Sequence, residues 1–105
     1  VLNLPLARTD YSSNIYWVYG ILIDESHKID AHTAMSLLRS SGIGTRPFFY
    51  PMHQQPVFKK MGLFDKQNYP NAEQMYRKGF YIPSGLALND AQMERVVESI
   101  INIFD

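Results

Sequence analysis

Residues 14–23 read Asn-Ile-Tyr-Trp-Val-Tyr-Gly-Ile-Leu-Ile, with apolar or aromatic side chains on both alternating sets. Successive side chains of a strand point to opposite faces, so such a run can be extended only where both faces are covered. β-Branched and aromatic residues favour that extended state. The spacing therefore predicts a strand over 14–23, with Trp17 and Tyr19 in the core. Gly20 within it marks a bulge or a close approach of other atoms. The run is bounded by Asn14 and Asp24 and falls well short of the roughly 20 apolar residues that span a bilayer.

A strand of this kind needs helices, and three follow. Asp30 is placed to cap a helix whose Ala31, Ala34, Leu37 and Leu38 share one face, and Gly42 suits a left-handed residue just past its end. Asn68-Tyr69-Pro70-Asn71 leads into a helix over about 72–78, closed by Gly79. The last helix is the clearest. Asn89 caps it, Gln92 completes a capping-box variant, and Met93, Val96, Val97, Ile100, Ile101 and Phe104 form an apolar stripe. Extended runs are expected near Thr45–Tyr50 and Phe80–Ile82, and a short helix near Val57–Met61. Strand, helix, strand, helix, strand, helix describes a small α/β sandwich with a sheet of about three strands and helices packed on it. Residues 1–13 read as a connector, leaving 14–105 as the domain.

The composition bounds the function. The 105 residues carry ten basic and ten acidic side chains, and no Lys/Arg cluster supplies the field that nucleic acid requires. With no cysteine, disulfides and thiolate metal sites are ruled out, and a cytoplasmic setting fits. His27, His32 and His53 lack metal-ligand spacing, and His27 and His32 read as solvated surface residues. No Gly-x-Ser-x-Gly elbow occurs, and Gly42-Ile43-Gly44 enters a strand where a dinucleotide motif would open a helix.

One segment stands out, Gly44-Thr45-Arg46-Pro47-Phe48-Phe49-Tyr50-Pro51-Met52-His53-Gln54-Gln55-Pro56. Three prolines stiffen it, so it can present Arg46, Tyr50, His53 and Gln54 at small entropic cost. A stiff structural crossover and a binding edge are equally good readings of these residues alone.

The wider pattern decides between them. GTRPFFYPMHQQPVF at 44–58, NIYWVYGI at 14–21 and YPNAEQMYRKGFYIPSGLALNDAQMERV at 69–96 closely resemble the C-terminal domain of DegT-type sugar aminotransferases. The resemblance covers roughly residues 14–104 and is strongest to the perosamine-forming branch, which aminates C4 of a GDP-linked 4-keto-6-deoxymannose. It implies the small domain of the aspartate aminotransferase fold in a homodimer. It also implies a large N-terminal domain whose lysine holds pyridoxal phosphate, and glutamate as amino donor. That cofactor domain is not among these residues. Lys28, Lys59, Lys60, Lys66 and Lys78 fall in turns or polar helix segments, so the chain alone is expected to bind no cofactor and turn nothing over.

By the same resemblance the Tyr50–His53 loop faces the cofactor cleft. His53 is the first substrate-binding candidate, followed by Tyr50, Arg46 and Phe48, with Tyr81 and Ser84 behind them. Arg46 suits a phosphate or carboxylate, or equally a structural acid. One of Phe48 and Phe49 is expected in the core and the other beside the pocket. Two other readings stay open. A sugar 3-dehydratase of the same family differs at the cofactor lysine, and a non-catalytic α/β module would use the loop to bind protein.

Overall fold

A computed structural model describes all residues from Val1 to Asp105. The elements run β1 (Leu2–Asn3), β2 (Tyr19–Ile23), α1 (Ala31–Ser40), β3 (Arg46–Pro47), a 3₁₀ turn (Met52–Gln54), α2 (Pro56–Lys60), α3 (Pro70–Lys78), β4 (Gly79–Ile82) and α4 (Asp90–Phe104). The sheet has four strands in the order β1-β2-β4-β3, every pair antiparallel. The expected α/β architecture is present, with one strand more than the sequence showed. β1 pairs Leu2 with Ile23 and Asn3 with Leu22, so the stretch read as a connector supplies the sheet edge.

Register sorts the side chains. Ile21 faces Phe80 and Tyr19 faces Ile82 across the β2–β4 ladder. Ile21, Ile23 and Phe80 are buried on one side against Ala31, Ala34 and Leu38 of α1 and Val96 and Ile100 of α4. Each large side chain so buried contributes roughly 1.5–3 kcal/mol. Asp30 caps α1 by accepting from Thr33 N at 2.8 Å, and Gly42 leaves the helix at φ +77, where a side chain would be strained. At α4 both halves of the capping box form. Asn89 Oδ1 accepts from Gln92 N at 2.9 Å, and Asn89 N donates to Gln92 Oε1 at 3.0 Å.

The predicted strand over 14–23 begins only at Tyr19. Tyr16 adopts φ 50, and its N–H donates to Asn14 Oδ1 at 2.7 Å, a local turn that competes with extended pairing. Trp17 consequently leaves the expected core and is 77% exposed, while Tyr19 packs half-buried against it. The run over Thr45–Tyr50 pairs only at Arg46 and Pro47. Gly79 closes α3 as expected, is extended at φ −105 and opens β4. His27, expected in solvent, is half-buried. Its Nδ1 accepts from Ile29 N at 3.2 Å and its ring lies 5.5 Å from Phe104. His32 is exposed, as expected.

Lys78 is buried at the end of α3. Its Nζ donates to His27 O at 2.6 Å and Ile29 O at 3.1 Å, so a desolvated charge is held by two carbonyls. Beside α4, Met93, Val97 and Ile101 stay about half exposed and, with Leu2, Tyr19 and Leu86, line an apolar cavity of about 660 Å³. The stripe of α4 is thus wider than the sheet covers. No helix is long and apolar enough to cross a membrane.

Candidate functional site

The opposite side of the sheet is built from aromatics and glycines. Gly20 pairs with Tyr81, and Leu22 with Gly79, so these four project to one face. The Phe48 ring occupies the space that the two glycines leave. A Cβ at Gly20 would stand 3.0 Å from Phe48 Cζ, and one at Gly79 would overlap both the Phe48 ring and Met75 O. Gly20 is therefore the site of a close approach, one of the two roles expected of it. From this seat Phe48 stacks on Tyr81 at 4.7 Å between centroids, and Phe49 meets the same ring edge-on at 6.2 Å. Phe48 is half-buried and Phe49 is 76% exposed; neither joins the core, because Phe48 is seated over the glycines on the other side of the sheet.

Arg46 is paired with Tyr81 across the β3–β4 ladder and stands exposed. Its guanidinium makes no hydrogen bond or ion pair within the chain. Arg46, Trp17, Thr45, Phe49 and Tyr81 line an open cavity of about 550 Å³ whose ten lining residues include no carboxylate. Ser84, a weaker candidate, lies outside this lining and donates to Trp17 O at 3.5 Å. The sequence reading missed Trp17 here because an exposed tryptophan inside an apolar run looks the same as a buried one.

Tyr50 and His53 sit in a second cluster, against α3. His53 Nε2 and Glu73 Oε1 are 2.7 Å apart, and the imidazole packs 5.0 Å from the Tyr69 ring with a side chain only 10% exposed. Tyr50 meets Tyr76 edge-on at 5.0 Å, and its carbonyl accepts from Gln55 Nε2 at 3.4 Å. The His53 bond is the main reason that the Glu73 carboxyl lies below the usual carboxylate range, with Gln54 and Arg77 adding to it. This cluster clasps the 3₁₀ turn to α3 through the single His53 Nε2–Glu73 Oε1 bond. Arg46 and His53, both predicted site residues, therefore stand in different surroundings, with Phe48 and Tyr81 seated beside Arg46.

Known proteins share this architecture and sequence pattern. The GDP-perosamine synthase of Vibrio cholerae is 29% identical over 90 residues, covering 86% of this chain and 24% of that protein. The GDP-perosamine synthase of Escherichia coli O157:H7 is 32% identical over 88 residues, covering 81% of this chain and 22% of that protein. Streptococcus pneumoniae Spr1654, solved in its PMP form, superposes with a TM-score of 0.85 at 16% identity over 97% of this chain and 26% of its own. That likeness identifies the small domain of the aspartate aminotransferase fold. The chain spans about a quarter of the length of these relatives. The model of the DegT/DnrJ/EryC1/StrS aminotransferase family matches residues 2–101, nearly end to end, and this chain belongs to that family.

Proposed function

We propose that this chain is the substrate-facing small domain of an enzyme that moves an amino group from glutamate to a nucleotide-linked 4-keto-6-deoxy sugar. The perosamine synthase relatives support the substrate class. The observation that carries the reading is the open cavity at Arg46, where an unpaired guanidinium stands among exposed aromatic side chains. A cavity of this kind can hold a planar, anionic ligand by its edges.

Pyridoxal phosphate, when bound, supplies the electron sink for amine transfer, and the PMP form of Spr1654 fits that chemistry. The lysines of this chain do not fit the group. Lys78 is committed to two backbone carbonyls, and Lys28, Lys59, Lys60 and Lys66 are exposed. We assign the cofactor lysine to the larger part of the intact protein, a cytoplasmic homodimer in this reading. Added pyridoxal phosphate should give no new visible band with the 105-residue chain alone, and such a band would contradict the assignment.

The residues of this chain bind and orient. Arg46 takes the anionic part of the sugar nucleotide, and Phe48 fixes the aromatic wall on which it rests. Tyr50 offers its phenol at the loop. The bond to Glu73 supports a positioning job for His53, which holds that loop in place. The test is mass spectrometry of products from the intact protein, given glutamate and GDP- or UDP-linked 4-keto sugars. An aminated sugar nucleotide is the expected product. Failure to aminate any of them, or loss of water in place of amination, would contradict the proposal.

A further inference from the structure

We infer that the cavity between Trp17 and Arg46 is the subsite for the nucleoside diphosphate half of the substrate, with the base stacked on Trp17 and the diphosphate on Arg46. The identity of the ligand rests on the sugar-nucleotide reading above, but the site is argued from its own chemistry.

Three features of the cavity point to such a ligand. Trp17 and Phe49 keep 77% and 76% of their surfaces open in this chain, and Phe49 touches Tyr81 only edge-on, so broad aromatic faces are left to water. A base is planar and stacks on such a face with little regard to its identity. Arg46 is the one ionised group among the ten lining residues, and no acid in the chain neutralises it. A guanidinium fork matches phosphate oxygens two at a time. The volume of about 550 Å³ is within the range of small-ligand sites.

The wall is also stiff. Tyr81 is held between Phe48 and Phe49, and Pro47 and Pro83 border the opening. The Tyr81 side of the cavity is therefore preformed, and the ligand has only Trp17 and Arg46 to order on binding. The turn that lifts Trp17 out of the sheet has Tyr16 at φ 50, with its ring stacked on Tyr19 at 5.4 Å. It presents the indole beside the cation.

Calorimetric titration of the intact protein with GDP tests this, using Arg46→Ala and Trp17→Ala. Each variant should weaken GDP binding at least about tenfold. Inorganic pyrophosphate should lose affinity only in Arg46→Ala, and guanosine only in Trp17→Ala. Both residues are exposed, so melting temperatures should hold within about 2 °C. GDP affinity within twofold of the parent in both variants would overturn the inference. So would a variant whose weakened binding comes with a collapsed melting temperature, since the residues would then hold another part of the protein. Retained dependence of GDP binding on Trp17 and Arg46, in a protein that aminates no sugar, would uphold the subsite while removing the proposed reaction.

Discussion

The clasp at His53 and the groove at Arg46 lie on the same proline-stiffened segment, yet they are finished to different degrees. His53 has its partner within the chain, a carboxylate 2.7 Å away, and is 10% exposed. Arg46 has none, and its aromatic neighbours Trp17 and Phe49 face solvent. A polar group satisfied inside the chain serves the fold first, whereas an unpaired cation beside open aromatic faces has binding capacity to spare. In the proposed reading the segment divides its work, one end anchoring the loop and the other presenting a recognition surface.

The sharpest way to break that division is to destroy what both ends share. Phe48 sits over Gly79, where a side chain would overlap its ring and Met75 O. Gly79→Val should cost about 3 kcal/mol and abolish both features, read as a large drop in thermal midpoint. A variant as stable as the parent would mean that the Phe48 seat is dispensable.

Removing the clasp alone should act next most strongly. His53→Ala in the intact enzyme should lower kcat/KM more than tenfold, a loss above roughly 1.4 kcal/mol. Glu73→Gln, which keeps a hydrogen-bonding side chain, should retain more activity. Equal kinetics for parent and His53→Ala would remove the clasp from the functional account.

Acid should loosen the clasp before it touches the groove. The Glu73 carboxyl is held below its ordinary value of 4.5 chiefly by His53. Asp24 and Asp30 are held below 3.8, chiefly by the Ser26 hydroxyl and the Thr33 N–H respectively. A lowered native pKa stabilises the fold above the unfolded value, and that stabilisation is lost as pH falls through the native one. As far as these three carboxyls set it, the thermal midpoint should be level from pH 7 to about pH 5 and fall progressively below about 4.5. In Glu73→Gln the fall should be shallower, and an unchanged acid limb would argue that Glu73 gains nothing from its partner.

The smallest effect is expected at Trp17. Trp17→Ala should change stability by no more than about 0.5 kcal/mol, despite the loss of an indole. A cost of several kcal/mol would show that the indole is packed after all and would merge the two regions into one core.

How far the sequence carried this picture depended on whether a signal was local. The cap at Asn89 and the stripe through Val96 and Ile100 lie within one helix, and both could be read directly. So could Asp30 capping α1 and the short strand before Pro83. The run at 14–23 misled, because apolarity marks a wish for cover without saying who provides it. Only Ile21 and Ile23 of that run lie in the core, with Tyr19 packed against it, while Ile15 and Trp17 are left open. β1 has two residues and no pattern, so it exists only through its pairing with β2. The His53–Glu73 bond joins positions twenty residues apart, and nothing in either local stretch announces the other. The same holds for Lys78, a polar helix end whose burial depends on carbonyls about fifty residues earlier. Among the candidate residues, Arg46 was marked by its stiff, aromatic surroundings, whereas nothing local marked the exposure of Trp17 beside it.

The account turns on the groove recognising the sugar nucleotide and not the amino donor. Single-turnover kinetics of the intact enzyme, following amination by glutamate and transfer to the keto sugar separately, test this in Arg46→Ala. The sugar-nucleotide half-reaction should need at least about tenfold more substrate to saturate, while the glutamate half-reaction stays within about twofold. Equal damage to both half-reactions, or none to either, would contradict it.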